Sequence, residues 1–218
     1  MKIRCLRTAF GKRIAFLSIF CFFGLAFFLQ GCGESFDVSQ LKDGDIIFQN
    51  KKSKHDDFLA VVSKSRYNNV GVLFSKDGKW YVLEAVQPVQ YTPLHSWVKE
   101  GEEHKFTVKR LKDETVMTPE ALEKMRQIAS DFLGRPFNSL FEWSDKGLYP
   151  SQMVWKLYKE ALNIELGPLQ TLSDYALTDN DVKQKITEKY GKKVPLYEEI
   201  VSPDAIYNSA LLVTVTEK

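Results

Sequence analysis

Apolar and polar positions alternate in short runs from Asp45 onward, and the alternation changes period several times. Asp45–Gln49 (DIIFQ) reads as a strand after the turn Leu41–Asp45, and residues 56–64 suit a short helix. A polar break, Arg66–Asn69, precedes a strand over Val70–Phe74. Lys76-Asp77-Gly78-Lys79 is a hairpin turn, and Trp80–Val86 its partner strand. Pro88 ends or edges that strand, and Val89–Tyr91 continues the sheet. Thr92-Pro93 predicts a helix through Val98, with Thr92 as N-cap and Pro93 in the first position. His104–Leu111 alternates as a strand. Thr118-Pro119 opens a third helix with Leu122, Met125, Ile128, Ala129 and Phe132 on its apolar face, stopped at Gly134. After an aromatic-rich loop over 135–148, Pro150 opens a helix to Leu162 whose Met153, Val154, Leu157 and Ala161 face a core. A short helix near 179–190 with a Gly191 stop, a turn at Ser202-Pro203-Asp204, and a strand over Leu211–Thr216 complete the pattern. The sum is one α+β domain, 41–218: a mostly antiparallel sheet or partial barrel with packed helices.

The first 31 residues follow a different rule. Lys2, Arg4, Arg7, Lys12 and Arg13 precede an apolar run, Ile14–Leu29, and then Leu29-Gln30-Gly31-Cys32. A basic segment, a short apolar core and a small residue before the cut describe a secretory signal. The run is short of the ~20 residues a spanning helix needs. The ending resembles a bacterial lipobox, which implies lipidation of Cys32, a membrane anchor and a tether over 32–40. Gly33 in place of an aspartate favours, by resemblance to lipoprotein sorting, the outer membrane facing the periplasm.

Losing that leader changes the charge. Its five basic residues and no acids take Lys+Arg from 30 to 25 against 28 acids, so +2 becomes −3. The basicity belongs to the leader, and no nucleic-acid partner is expected. Lys51-Lys52 with Lys54, and Glu102-Glu103, read as solvated loops. Cys5 and Cys21 leave with the leader and Cys32 carries lipid, so the mature chain has no free thiol, disulfide or cysteine metal site. His55, His95 and His104 are scattered without ligand spacing, so no metal or other cofactor is expected. Phe137, Phe141, Trp143, Tyr149 and Trp155 suit a core. Phe141 and Trp143 are the better pocket candidates, because they sit in a loop.

Several segments share a further resemblance: LKDGDIIFQ (41–49), RYNNVGVLF (66–74), YVLEAVQPVQYTPL (81–94), VKRLKD (108–113), FLGRPF (132–137), FEWSD (141–145), LYPSQMVWKLYK (148–159) and SPDAIYNS (202–209). In order and spacing the chain resembles the YiiX/YaeF-like permuted papain-fold cysteine hydrolases of the NlpC-type superfamily. That resemblance implies a permuted papain-like fold, with a histidine strand before a cysteine helix and a polar or acidic third residue. A thiolate attacks a carbonyl, imidazole moves the proton, and the third group orients the ring.

Carried over residue by residue, the family's cysteine position falls on Pro150 and its histidine position on Asn69, while Glu84 matches the acidic third position. Proline has no nucleophilic atom, and asparagine exchanges no proton near neutral pH. The resemblance therefore implies a degenerate member whose former cleft, with Tyr67, Asn69, Glu84, Phe141, Trp143, Tyr149 and Ser151, binds a lipid-like or peptidoglycan-derived amide or ester. Glu84 has two readings: a site acid bonded to Asn69 or a ligand, or a strand carboxylate held by a nearby donor. Two rivals stand beside this one. One is a hydrolase remodelled around Ser151 or around Glu84 and His95; the other is an envelope scaffold.

Overall fold

The computed structural model describes residues 37–52, 58–175 and 179–218. The leader, Cys32, most of the tether, Lys54 and His55 lie outside the described residues. From Asp37 onward the chain forms one unit built on an antiparallel sheet of six strands. These are β1 (Ile46–Gln49), β2 (Asn69–Lys76), β3 (Lys79–Glu84), β4 (Gln90–Pro93), β5 (Thr107–Leu111) and β8 (Leu212–Glu217), in spatial order β4-β3-β2-β1-β5-β8. A second, two-stranded sheet pairs β6 (Gln170–Thr171) with β7 (Glu199–Ile200); two residues per strand leave no readable period.

Register explains why β1 is apolar from Ile46 through Phe48. Ile46 and Phe48 lie opposite Val72 and Val70, and all four join the main core. Ile47 points the other way, opposite Gly71, yet is equally inaccessible. Both faces of the sheet's centre are therefore covered. One face carries α3 (Pro119–Phe132) and α4 (Pro150–Leu162), which pack on each other while α4 lies against β2. The other carries α2 (Leu94–Glu100), packed on β3 and β4 with Trp97 fully buried. Gly71 is needed there, since a Cβ would come within 2.7 Å of the Leu83 carbonyl. The β2–β3 hairpin closes with Asp77 and Gly78 both at positive φ, as a two-residue turn between twisted strands requires.

Most predicted elements fall within a few residues of their observed limits. The helix over 56–64 is seen as α1 (Phe58–Ser63), and the one near 179–190 as α5 (Asn180–Tyr190), stopped at Gly191. Three expectations change. Thr92 does not cap α2: Thr92 and Pro93 end β4, and the helix starts at Leu94 with no side-chain cap. The Thr92 hydroxyl goes instead to a buried carboxylate, a stronger acceptor than an exposed helix N–H is a donor. Ser202-Pro203-Asp204 is more than a turn, because Ser202 caps the short helix α6 (Pro203–Tyr207) by accepting from the Ala205 N–H. The strand expected from His104 begins only at Thr107, after a 3₁₀ turn over Glu102–His104.

Candidate functional site

The cavity of interest lies at the end of the sheet where β2 begins and β3 ends. α4 brings its first residue there. Pro150 is pre-shaped for a helix start, and Tyr149 ahead of it is extended. β2 brings Asn69, its first residue, opposite Gln49. The two positions share one cavity of about 490 Å³. Its apolar wall comes from Leu59 and Ala60 of α1, Phe137 and Phe141 of the 135–148 loop, Tyr149 and Pro150. Its polar end comes from Lys51, Asn68, Asn69 and Glu100.

The apolar wall is held firmly. Phe141 has a positive φ of 56°, a conformation a bulky residue adopts only when its surroundings impose it. Its ring stacks on Phe58 at 5.3 Å and meets the Tyr149 edge at 5.0 Å. Tyr149 is fully buried and its hydroxyl accepts from the Val201 N–H at 3.2 Å. Burial pushes that phenol well above its usual range, so it stays neutral. The loop itself is pinned by the Phe137 N–H, which donates to Gln87 Oε1 at 2.6 Å.

Glu84 ends β3 and is 1% exposed. Its carboxylate accepts from the Thr92 hydroxyl at 2.6 Å, the Trp97 indole N–H at 3.0 Å and the Lys51 ammonium at 3.0 Å. Asn69 is not among these partners, which fits the second of the two readings, a strand carboxylate held by nearby donors. Lys51 reaches Glu100 as well, at 2.9 Å. Burial works against its charge, but the two carboxylates outweigh burial and hold the ammonium above the usual lysine range. Lys51 is thus no solvated loop charge, contrary to expectation. No local pattern marks it; the one available signal was that a buried acid needs a cation.

Other expected site residues are placed differently. Asn69 lines the cavity, and its Nδ2 is buried and without a partner among the described residues. Ser151 also touches the cavity, but it is 1% exposed and its hydroxyl donates to the Val201 carbonyl at 2.7 Å. That fixes it as a first-turn structural residue with no base beside it. His95 is exposed on α2 and outside the cavity wall. Tyr67 packs among Phe48 and Tyr207 and shares a hydrogen bond with Thr107 at 2.7 Å, away from the cavity. Trp143 is also elsewhere: its ring packs on Trp155, and its backbone N–H donates to Glu198 Oε1. Both aromatic rings find partners in the core that their local sequence does not disclose.

Fold and site together define a papain-like arrangement entered in permuted order, strand before helix. Residues 40–216 match the model of the permuted papain-like amidase enzymes, the YaeF/YiiX or C92 family. The chain is 38% identical over 179 residues, 82% of its length and 88% of the relative's, to the uncharacterized protein YiiX of Escherichia coli K12. A crystal structure described as that of the metalloprotein yiiX from Escherichia coli O157:H7 superposes with a TM-score of 0.77. The match is at 38% identity and covers 82% of this chain and 98% of that one. The chain belongs to the permuted papain-like amidase family.

The metal named in that description belongs to that protein. Among the described residues here, no group of three His, Cys, Asp or Glu side chains converges as a metal site. The donors at the cavity do not fit a cation either, since Glu84 is already engaged by three donors and one of them is an ammonium.

Proposed function

We propose that this chain is a non-catalytic, lipid-anchored envelope member of its family, holding a lipid-like or peptidoglycan-derived amide or ester in the former active-site cleft. The observation that carries the reading is the joint placement of Pro150 and Asn69 on one 490 Å³ cavity. Each occupies a position where the family resemblance expects a chemical group, and neither residue supplies one. Loss of one member of a nucleophile–base unit removes nearly all its rate advantage; here both are replaced. The leader and its Cys32 ending support the anchor. Ser151 gives a remodelled hydrolase no support, its hydroxyl being engaged by a backbone carbonyl. A cleft filled by its own aromatic rings would have favoured a scaffold, but the rings here line an open volume.

The test is an assay of the purified protein on acyl-amide, acyl-ester and peptidoglycan-peptide substrates. The reading expects no turnover above background. Turnover that disappears in Ser151→Ala or Glu84→Gln would sink it.

A further inference from the structure

The two ends of the large sheet carry two different cavities. The one holding Pro150 and Asn69 sits where β1 ends and β2 begins. A second, of about 480 Å³, sits at the other end, where β1 is entered and β2 and β5 finish. Lys42, Asp43, Asp45, Arg110 and Glu114 supply its charge, and Trp80 its aromatic wall. The chain enters the fold beside this second cavity. Arg110 Nη2 donates to the Gln40 carbonyl at 2.6 Å, and Lys42 is on the wall. Cys32 lies five positions before Asp37, the first described residue, a reach of at most about 18 Å. A lipid on Cys32 therefore keeps this end of the sheet within reach of the headgroup layer.

The charged groups here are paired but incompletely used. Arg110 holds Asp45 through Nε and Nη2, while its Nη1 has only Glu114, at 3.8 Å, beyond hydrogen-bond length. Lys42 Nζ bonds Glu114 Oε2 at 2.5 Å, and Arg110 faces that same oxygen, so Oε1 has no hydrogen-bond partner among the described residues. The part-exposed Trp80 indole N–H is likewise without one among them. Two cations and three carboxylates line the cavity, and Arg126, bonded to Asp43, brings the sum to zero. Lys76, Lys79 and Lys112, with Asp77 and Asp113, are exposed neighbours along the chain, screened by water and salt. A net-neutral site with free cationic donors and a free carboxylate oxygen suits a zwitterion better than an anion or a cation. Tryptophan, apolar in body with one polar edge, is a residue type favoured at membrane–water interfaces.

We propose that this second cavity takes the headgroup of a zwitterionic phospholipid of the anchoring membrane, its phosphodiester on Arg110, Lys42 and Trp80 and its ammonium on Glu114. The former active-site cleft then lies at the end of the sheet away from the bilayer. The proposal rests on the lipid-anchor part of the reading above.

Glycerophosphoethanolamine, a headgroup without acyl chains, probes the cavity apart from the anchor. Titrated into the purified, detergent-solubilised protein at low salt and neutral pH, it should change tryptophan emission saturably, and bind several-fold more tightly than anionic glycerophosphoglycerol. Trp80→Phe should abolish the emission change, and Lys42→Ala should weaken binding about threefold with an unchanged thermal melt. A second arm places the protein on phosphatidylethanolamine vesicles that carry a nitroxide-labelled headgroup. Wild-type emission should be quenched, and Trp80→Phe should lose most of that quenching. No saturable response, a response kept in Trp80→Phe, or equal affinity for the anionic headgroup overturns the proposal. So does binding of the free headgroup without quenching on floated vesicles, which would assign the cavity to a soluble phosphoethanolamine compound and leave the anchor standing. Protein that does not float with the vesicles removes the anchor and the proposal together.

Discussion

Two carboxylates, Asp45 and Glu84, are each 1% exposed in this protein, and only Glu84 is paired with a cation on the cavity that holds Pro150 and Asn69. Asp45 accepts two bonds from Arg110, at 2.6 and 2.8 Å, and a third from the Lys42 N–H at 2.8 Å. Burial pushes its carboxyl up, against the opposing pull of Arg110. Glu84 also has three donors, but its cation is a lysine shared with Glu100, and that lysine lines the cavity. A planar guanidinium in two-point contact locks one geometry, whereas an ammonium on a flexible stem divides itself among acceptors. Burial of an acid is thus a poor marker of function. What distinguishes Glu84 is that its cation lines the cavity shared by Pro150 and Asn69, whereas Arg110 lines another.

Removing each cation should separate the two pairs most sharply. Arg110→Met leaves Asp45 buried and unpaired, and should cost about 3–5 kcal/mol of stability in denaturant titration. Asp45 has a raised folded-state value, so its contribution is present below the ordinary aspartate range of ~4 and is lost as pH rises through that value. The deficit of Arg110→Met should therefore shrink as pH falls from the unpaired acid's raised value toward about 4, and stay level below that. Lys51→Met should cost less, about 1–3 kcal/mol, because Thr92 and Trp97 still serve Glu84. Lys51 also has a raised folded-state value, so its contribution persists below the ordinary lysine value and is lost above it. The gap between wild type and Lys51→Met should close above about pH 10.5. A larger loss in Lys51→Met than in Arg110→Met would break the comparison.

Smaller effects sharpen it. Thr92→Val removes one donor from Glu84 and should cost about 1 kcal/mol, with no extra fraying of α2, since Thr92 is not its cap. Circular dichroism with thermal melting checks both parts. Ser151→Ala should cost about as little, roughly 1 kcal/mol, in the same thermal melts.

The chain's own pattern disclosed an α+β domain, the α3 and α4 helices and the Asp77-Gly78 hairpin, because each rests on local periodicity or on one turn or cap, while the permuted papain-like class was legible only through the family resemblance. Pro150 and Asn69, singled out through the family's spacing, share one cavity, while Glu84, singled out in the same way, does not line it. Lys51 was not legible, because its partners lie 33 and 49 positions away (Glu84 and Glu100), and a lysine beside Lys52 and Lys54 looks solvated. Thr92 was misread for a related reason: a Thr-Pro pair is a sound helix-start signal until a buried carboxylate competes for the hydroxyl. Tyr67 and Trp143 show the limit for aromatic rings, whose side of the core is set by tertiary packing alone. The same Thr-Pro signal succeeds at Thr118, which caps α3 by accepting from Ala121 and has no buried acid to serve.

The central claim is that the former active-site cleft holds an intact ligand and does not react with it. Native mass spectrometry of the protein extracted from membranes tests this most directly, comparing wild type with Ala60→Trp, which fills the cavity from its wall. The account predicts a non-covalent small molecule on wild type that is absent from the variant. A covalent acyl adduct on wild type, or a retained ligand unaffected by Ala60→Trp, would contradict it.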